Sequence, residues 1–352
     1  MKKKFLITGG AGFFGSYFAS YLADKGFKPT IFDRLYDKEL AKKYNYFQGD
    51  FRNKKQLEEA FEKFGPFDAV FHFGAELAHC MISKESLWSS NVLGTKNVTQ
   101  VAIKHKVKHF VFTSSNCAVG KPAVDLLSVK ETDPVNPLEL YGRSKLDGEK
   151  ILKGAENKIH ADAFRCPTII APGRLGLLTI LFDFIKEGRK VWVVGSGDNK
   201  YQFIAAFDLA QACLASVNSK SKVGFRLFNI GSDNVKSLVD TYRYVVKKAK
   251  TSARIARLPK TLTLFLMKMA YKMGLSPLGP YHYGMIAENF IFNTDKIKKE
   301  LNWKPTKTNE EILWEAYQYY QKNSQTILNE KDGSPHRTAA KMGIIKFLKA
   351  LS

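Results

Sequence analysis

Tyr141 and Lys145, in the run Tyr141-Gly142-Arg143-Ser144-Lys145, are the side chains best suited to move a proton. On a helix, positions i and i+4 project from one face, so the phenol and the ammonium would stand side by side. A free phenol titrates near ~10 and needs help to cycle near neutrality. A neighbouring ammonium supplies that help by favouring the phenolate. Upstream, Thr113-Ser114-Ser115 closes an apolar run and offers a hydroxyl to hold a substrate oxygen. Such a set suits the removal or return of a proton at an alcohol carbon. The spacing alone is common on protein surfaces, so its meaning depends on what else the chain positions nearby.

The electron acceptor is suggested by the amino terminus, Thr8-Gly9-Gly10-Ala11-Gly12-Phe13-Phe14-Gly15. An apolar run enters glycines at Gly9, Gly12 and Gly15, and helical spacing follows at once. The first glycine permits a sharp turn, the second lets backbone approach a pyrophosphate, and the third lets helix and strand pack closely. Amides at the helix start then face the anion. Asp33, after the second apolar run, stands at the separation expected of a carboxylate that binds adenosine ribose hydroxyls. A carboxylate there favours NAD over NADP. Arg34 leaves NADP open, because a guanidinium can clamp a 2′-phosphate. Asp50 ends the third run, where it would meet the adenine edge. With a dinucleotide beside it, the Tyr141 phenolate would also be favoured by the positive nicotinamide ring.

These residues need a scaffold, and the sequence rhythm predicts one. Apolar runs at 5–8, 29–32, 46–48, 69–73, 110–113 and 163–166 alternate with helical spacing at 15–25, 54–63, 87–105 and 140–155. That alternation predicts an α/β fold: a Rossmann-like doubly wound parallel sheet with helices on both faces. After Pro167 the rhythm breaks. An isolated strand is expected at 191–194 and a strand rejoining the sheet near 225–231. Helices are expected at 238–248, 262–273 and 310–321, with a Pro/Gly turn region at 276–280. The expected organisation is a dinucleotide-binding domain over 1–170, a smaller discontinuous substrate lobe over 171–323, and a connector with a basic amphipathic tail over 324–352.

In order and spacing, the chain resembles the extended short-chain dehydrogenase/reductase family, in its NAD-dependent epimerase/dehydratase branch. The matching pieces are the glycine run, Asp33, Asp50-Phe51, His72-Phe73-Gly74-Ala75, Asn91-Val92-Leu93-Gly94-Thr95, residues 112–115, residues 141–145 and Arg165-Cys166-Pro167. Later matches are residues 195–203, Asp208-Leu209-Ala210 and Leu301-Asn302-Trp303-Lys304-Pro305. The resemblance implies catalytic roles for Ser115, Tyr141 and Lys145, with Lys145 also holding the nicotinamide ribose. It implies that Phe73, Gly74 and Ala75 line the cofactor, that Asn91 supports their strand end, and that Pro167 lies beside the nicotinamide. Phe13, Phe14, Phe51 and Ser114 are counted with the cofactor contacts. It also implies a homodimer, formed through helices that include the one bearing Tyr141. His72 and His79 need no proton-transfer role.

The substrate is less determined. Sugar-nucleotide epimerases usually carry Asn where this chain has Thr168, and Arg where it has Tyr201. Arg174 and Lys200 could stand in for the lost groups. Glu76, Thr168, Arg174 and Tyr201 are the expected substrate contacts. The apolar stretch 262–273, followed by Tyr281, His282 and Tyr283, predicts a greasier pocket roof and a second reading: a 3β-hydroxysteroid dehydrogenase-like reductase of a lipidic ketone. A third reading is a dinucleotide sensor without turnover, against which the complete Ser115, Tyr141 and Lys145 set argues.

Composition bounds the rest. The chain has 352 residues, 45% of them hydrophobic and 25% charged, which is globular rather than disordered composition. The formal charge of +22 is spread from Lys2 to Lys349 without an Arg-rich, aromatic-interleaved stripe, so specific nucleic-acid binding is not expected. Cys80, Cys117, Cys166 and Cys213 form no metal-binding spacing, and reduced thiols in a cytoplasmic enzyme are expected. The run after Lys2 is stopped by Gly9 and is too short for a signal peptide. No apolar stretch approaches the roughly 20 residues that span a bilayer. At the carboxyl end, Ile344, Ile345, Leu348 and Leu351 share one helical side among lysines, which predicts weak peripheral membrane contact.

Overall fold

The computed structural model describes residues 3–77, 83–122, 128–219, 223–275 and 279–329. His79, Cys80, part of the 276–280 turn region, most of the connector and the basic tail lie outside the described residues.

Eleven strands are present among these residues: β1 (Phe5–Thr8), β2 (Thr30–Asp33), β3 (Asn45–Gln48), β4 (Ala69–His72), β5 (His109–Ser115), β6 (His160–Cys166), β7 (Thr168–Ile170), β8 (Lys190–Val194), β9 (Phe203–Ala205), β10 (Gly224–Asn229) and β11 (Arg254–Leu258). Seven form one parallel sheet in the order β3-β2-β1-β4-β5-β6-β10. The strands read as continuous apolar runs because helices cover both faces of the sheet. Strand alternation divides their side chains between two cores. Phe5, Ile7, Phe71 and Val111 pack with Phe18, Leu22, Leu209 and Cys213 on one face. Leu6, Val70, Phe110 and Phe112 pack with Leu57, Val98, Val101 and Leu152 on the other. The chain order reverses between β1 and β4, so the crevice at their carboxyl ends is where such a sheet takes ligands.

A third core belongs to the carboxyl-terminal half. Phe182, Ile185, Val191, Val245, Tyr317 and Tyr320 bring together the helices Leu178–Lys186, Leu238–Ala249 and Asn309–Asn329. Strand β10 rejoins the sheet beside β6, as its apolar run suggests. Strand β8 is not isolated: β11 pairs with it in parallel, and β7 pairs with β9. The expected single helix over 87–105 is three pieces, Lys84–Trp88, a π-helical turn at Ser89–Gly94, and Thr95–Lys104. The long helix continues to Asn329, past Ser324 where a loose connector was expected; Ser324 is buried, and Lys186 donates to its hydroxyl. No helix among the described residues is long and apolar enough to cross a membrane.

Candidate active site

The cradle begins where β1 ends. Gly9 has φ +73°, and a Cβ there would lie 2.4 Å from the backbone of Gly74. A Cβ on Gly15 would lie 2.1 Å from the Gly9 carbonyl oxygen. The first and third glycines are therefore required by close backbone approach. Gly12 caps the helix Phe13–Asp24 without a side chain, and that helix has no acid in its first turn. Its first amides thus face the crevice with no carboxylate competing for them. Asp33 accepts from Ala11 N at 2.9 Å and from Leu35 N at 3.0 Å, which fixes its carboxylate beside the loop. Burial raises its pKa, while these backbone bonds pull the other way.

Around this cradle the expected cofactor residues divide. Phe73 packs against Phe14 and Phe18, with ring centroids 4.7 and 5.3 Å away, and shapes the crevice from below. The Phe51 ring lies so close to Gly74 and Gly94 that neither position could carry a Cβ without displacing it. Asn91 sits within the π-helical turn and ties three parts together. Its amide donates to the Glu76 carbonyl at 2.9 Å and to Ser144 Oγ at 3.0 Å, and its oxygen accepts from Glu76 N at 2.8 Å. It thereby holds the β4 strand end against the helix Leu140–Gly154.

Four of the expected contacts have partners within the protein. Asp50, expected at the adenine edge, has its carboxylate gripped by Arg52 through Nε and Nη2. Burial opposes ionisation of Asp50, yet the Arg52 bonds and charge hold its pKa below the ordinary value. Arg34 donates to Glu76 at 2.7 Å, so the cation that left NADP open is engaged. Glu76, expected among the substrate contacts, thus accepts from Arg34 and from the Ser86 hydroxyl. Ser114 is likewise not turned to the cofactor: its hydroxyl donates to Glu149, which also receives a bidentate grip from Arg165.

Ser115, the next residue on β5, alternates to the opposite side. Its hydroxyl accepts from Cys117 N at 3.1 Å and is hydrogen-bonded to Tyr141. Tyr141 and Lys145 rise from the helix Leu140–Gly154. A Cβ on Gly142 would lie 2.1 Å from the Cys117 carbonyl oxygen, so this glycine lets the helix press against the loop after Ser115. Lys145 Nζ donates to the Thr113 carbonyl at 2.8 Å and sits 5.9 Å from the Tyr141 ring centroid. Burial lowers its pKa to about 8. Burial also raises the Tyr141 pKa well above its ordinary value, with the Ser115 hydrogen bond acting against that. The phenolate thus needs positive charge in the crevice before it forms.

The far wall carries Thr168 and Tyr201, two of the expected substrate contacts. Thr168 is hydrogen-bonded to Tyr201, whose hydroxyl accepts from Asn116 Nδ2 at 2.8 Å and lies 3.0 Å from the Tyr281 hydroxyl. Asn116 also donates to Tyr281 at 2.5 Å. These polar groups sit among the apolar side chains of Val119, Val129, Met285, Phe290 and Phe292. Leu262, Phe265, Leu266 and Met269, expected in a greasier roof, are exposed. Arg174 lies with its guanidinium 5.5 Å from the Phe13 ring centroid, and its Nε and Nη1 are buried without a hydrogen-bond partner. Burial lowers its pKa to about 10. An orphaned guanidinium beside the glycine loop is a built place for an anion.

His72 lies between Thr8 Oγ1 and Thr95 Oγ1 at 2.6 and 3.0 Å, and burial lowers its pKa to about 3. It is a neutral structural imidazole. Cys117 is buried near the catalytic group and its pKa is raised to about 12, so it is no nucleophile. No cluster suited to a metal ion occurs among the described residues. Sequence reasoning missed Asn116 altogether, and it placed Tyr281 only in an apolar roof; neither has a spacing signal, since their contact spans 165 positions.

Comparison with known proteins agrees with this geometry. Residues 5–231 match the NAD dependent epimerase/dehydratase family. The uncharacterized protein y4nG of Sinorhizobium fredii is 34% identical over 98% of this chain and 85% of its own length. UDP-glucose 4-epimerase of Thermotoga maritima, solved with UDP-glucose, superposes with a TM-score of 0.74 at 21% identity, covering 91% of this chain and 99% of that one. dTDP-glucose 4,6-dehydratase of Bacillus anthracis, solved with NAD, gives a TM-score of 0.72 at 22% identity, covering 92% and 98%.

Proposed function

The chain belongs to the NAD dependent epimerase/dehydratase family, and from that premise we propose that it transiently oxidises a secondary alcohol carbon of a nucleotide-linked sugar, with Tyr141 as the proton carrier. The observation that carries this reading is the convergence of Ser115, Tyr141 and Lys145 at the carboxyl ends of the sheet, across from the glycine cradle.

The residues present fit NAD. The Gly12 cap leaves the first amides of the helix Phe13–Asp24 open to a pyrophosphate, Asp33 keeps acceptor capacity for ribose hydroxyls, and Arg174 offers an unpaired cation beside Phe13. When bound, NAD supplies the hydride acceptor. Ser115 then holds the substrate oxygen, and Tyr141 removes its proton as the alcohol is oxidised and returns one on reduction. Lys145 keeps the phenol and its charge in place from the Thr113 carbonyl.

The hydrogen-bonded group of Asn116, Tyr201 and Tyr281 offers polar atoms suited to sugar hydroxyls. A UDP- or dTDP-sugar fits the family and its structural neighbours, a UDP-glucose 4-epimerase and a dTDP-glucose 4,6-dehydratase. The test is to offer UDP-glucose, UDP-galactose and dTDP-glucose to the purified protein with NAD and to analyse the sugar products. Conversion of at least one is expected. Turnover of a sterol or β-keto lipid with no nucleotide sugar converted would overturn the proposal.

A further inference from the structure

The helix Lys260–Lys272 has an apolar side that is exposed among the described residues. Its inward positions are Thr263, Leu264, Met267 and Ala270, at the spacing of one helical face. On the outward side Leu262, Phe265, Leu266, Met269 and, just beyond the helix, Met273 and Leu275 are 41–65% exposed. Seven of the fourteen large exposed hydrophobic side chains among the described residues fall between Leu262 and Leu275. Scattered exposed apolar residues need no explanation, but a contiguous run of this kind marks an interaction surface.

Charge identifies the occupant. Residues 260–275 contain Lys260, Lys268 and Lys272 and no acidic residue. The carboxyl-terminal residues 335–352 repeat that composition, with Arg337, Lys341, Lys346 and Lys349 and no acid. The whole chain carries +22. A second copy, or the chain's own tail, would bring lysine against lysine. An apolar helix face that carries lysines and no acidic residue of its own is complementary to an anionic lipid surface, where acyl chains take the apolar side chains and phosphates take the ammonium groups of Lys268 and Lys272. We propose that this face docks the protein on anionic bilayers.

The docking helix is attached to the roof of the active site. Lys260 Nζ reaches the Ala287 carbonyl and Glu288 at 3.3 Å. At the other end Tyr271 stacks edgewise on Tyr283, with centroids 6.2 Å apart. Gly279 lies between Tyr271 and Glu139, the residue that precedes the catalytic helix. Tyr281, which closes the crevice over Asn116, belongs to the same short segment. Docking therefore brings the substrate wall of the crevice close to the lipid surface.

Flotation of the full chain with vesicles tests this. Phosphatidylcholine vesicles with and without phosphatidylglycerol are compared at low and high salt. The wild type should bind the anionic vesicles about 10-fold or more tightly than the neutral ones, and less at high salt. Phe265→Glu with Leu266→Glu should remove that binding, as should Met273→Glu alone, with unchanged circular dichroism and thermal midpoint. A chain ending at residue 329 should keep part of it. Failure of the wild type to float would overturn the proposal, as would undiminished binding by folded Phe265→Glu/Leu266→Glu and Met273→Glu. So would a wild-type dimer that these substitutions split without any change in lipid binding, which would assign the face to a second copy.

Discussion

Two adjacent serines carry different burdens, and strand alternation is the reason. Ser115 faces the crevice and Tyr141, whereas Ser114 faces Glu149 and the Arg165 grip on the other side of β5. Ser115→Ala should lower kcat about 100-fold or more, because a positioned donor to the reacting oxygen is lost. Ser114→Ala should leave kcat nearly unchanged and lower stability by about 1–3 kcal/mol, since a buried carboxylate loses a donor. Paired kinetics and chemical denaturation distinguish the two. His72 gives a pH signature. Its folded-state pKa is lowered to about 3 from 6.5, so only the unfolded chain takes up its proton across that window. Its contribution is complete above pH 6.5 and declines as pH falls toward 3. One such histidine removes about 2 kcal/mol between pH 7 and 5. Denaturation of His72→Asn across that range should show a correspondingly shallower loss; an unchanged slope would refute the assignment. At this scale the meeting of Ser115, Tyr141 and Lys145 and the glycine turn were legible because chemistry and turn geometry restrict residue type. The arginine grips on Asp50 and Glu149 and the Asn116–Tyr281 contact were not, because they join side chains whose spacing carries no pattern.

The catalytic helix stands where it does because Gly142 lets it. Gly142→Ala would drive a methyl into the Cys117 carbonyl, and the helix bearing Tyr141 must retreat. A retreat of ~1 Å can lower the chemical step about 100-fold, so kcat should fall far more than NAD affinity. Steady-state kinetics beside NAD titration checks this, and equal losses in both would point to general unfolding. The inner strands of the main sheet were legible because each is an apolar run buried on both faces, whereas the edge strands β3 and β10 are only partly buried. Strands β7 and β9 span three residues each and β11 is half-exposed, with Arg254 and Arg257 interrupting any alternation. The π-helical turn at Asn91 was invisible, since its residues have ordinary helical spacing. The helix at 260–272 was found in sequence but turned the wrong way. A segment apolar on both sides does not reveal which side is buried.

At the scale of the whole molecule, the sheet order follows from alternating strands and helices, while the carboxyl-terminal core joins segments distant in sequence and had to be seen. Its helices Leu178–Lys186 and Asn309–Asn329 meet through Phe182, Tyr317 and Tyr320. NAD binding should stabilise the fold as a unit, by about 2.7 kcal/mol at a concentration 100-fold above Kd. Differential scanning fluorimetry should show the shift in the wild type. Gly9→Ala, which sets a methyl against the Gly74 backbone at φ +73°, should abolish it. The most direct measurement of the central claim is turnover of a nucleotide sugar by Tyr141→Phe, with bound NAD quantified in the same samples. The account predicts that NAD is retained while turnover falls about 100- to 10,000-fold, as expected when a positioned acid–base group is removed. Turnover at the wild-type rate would contradict it.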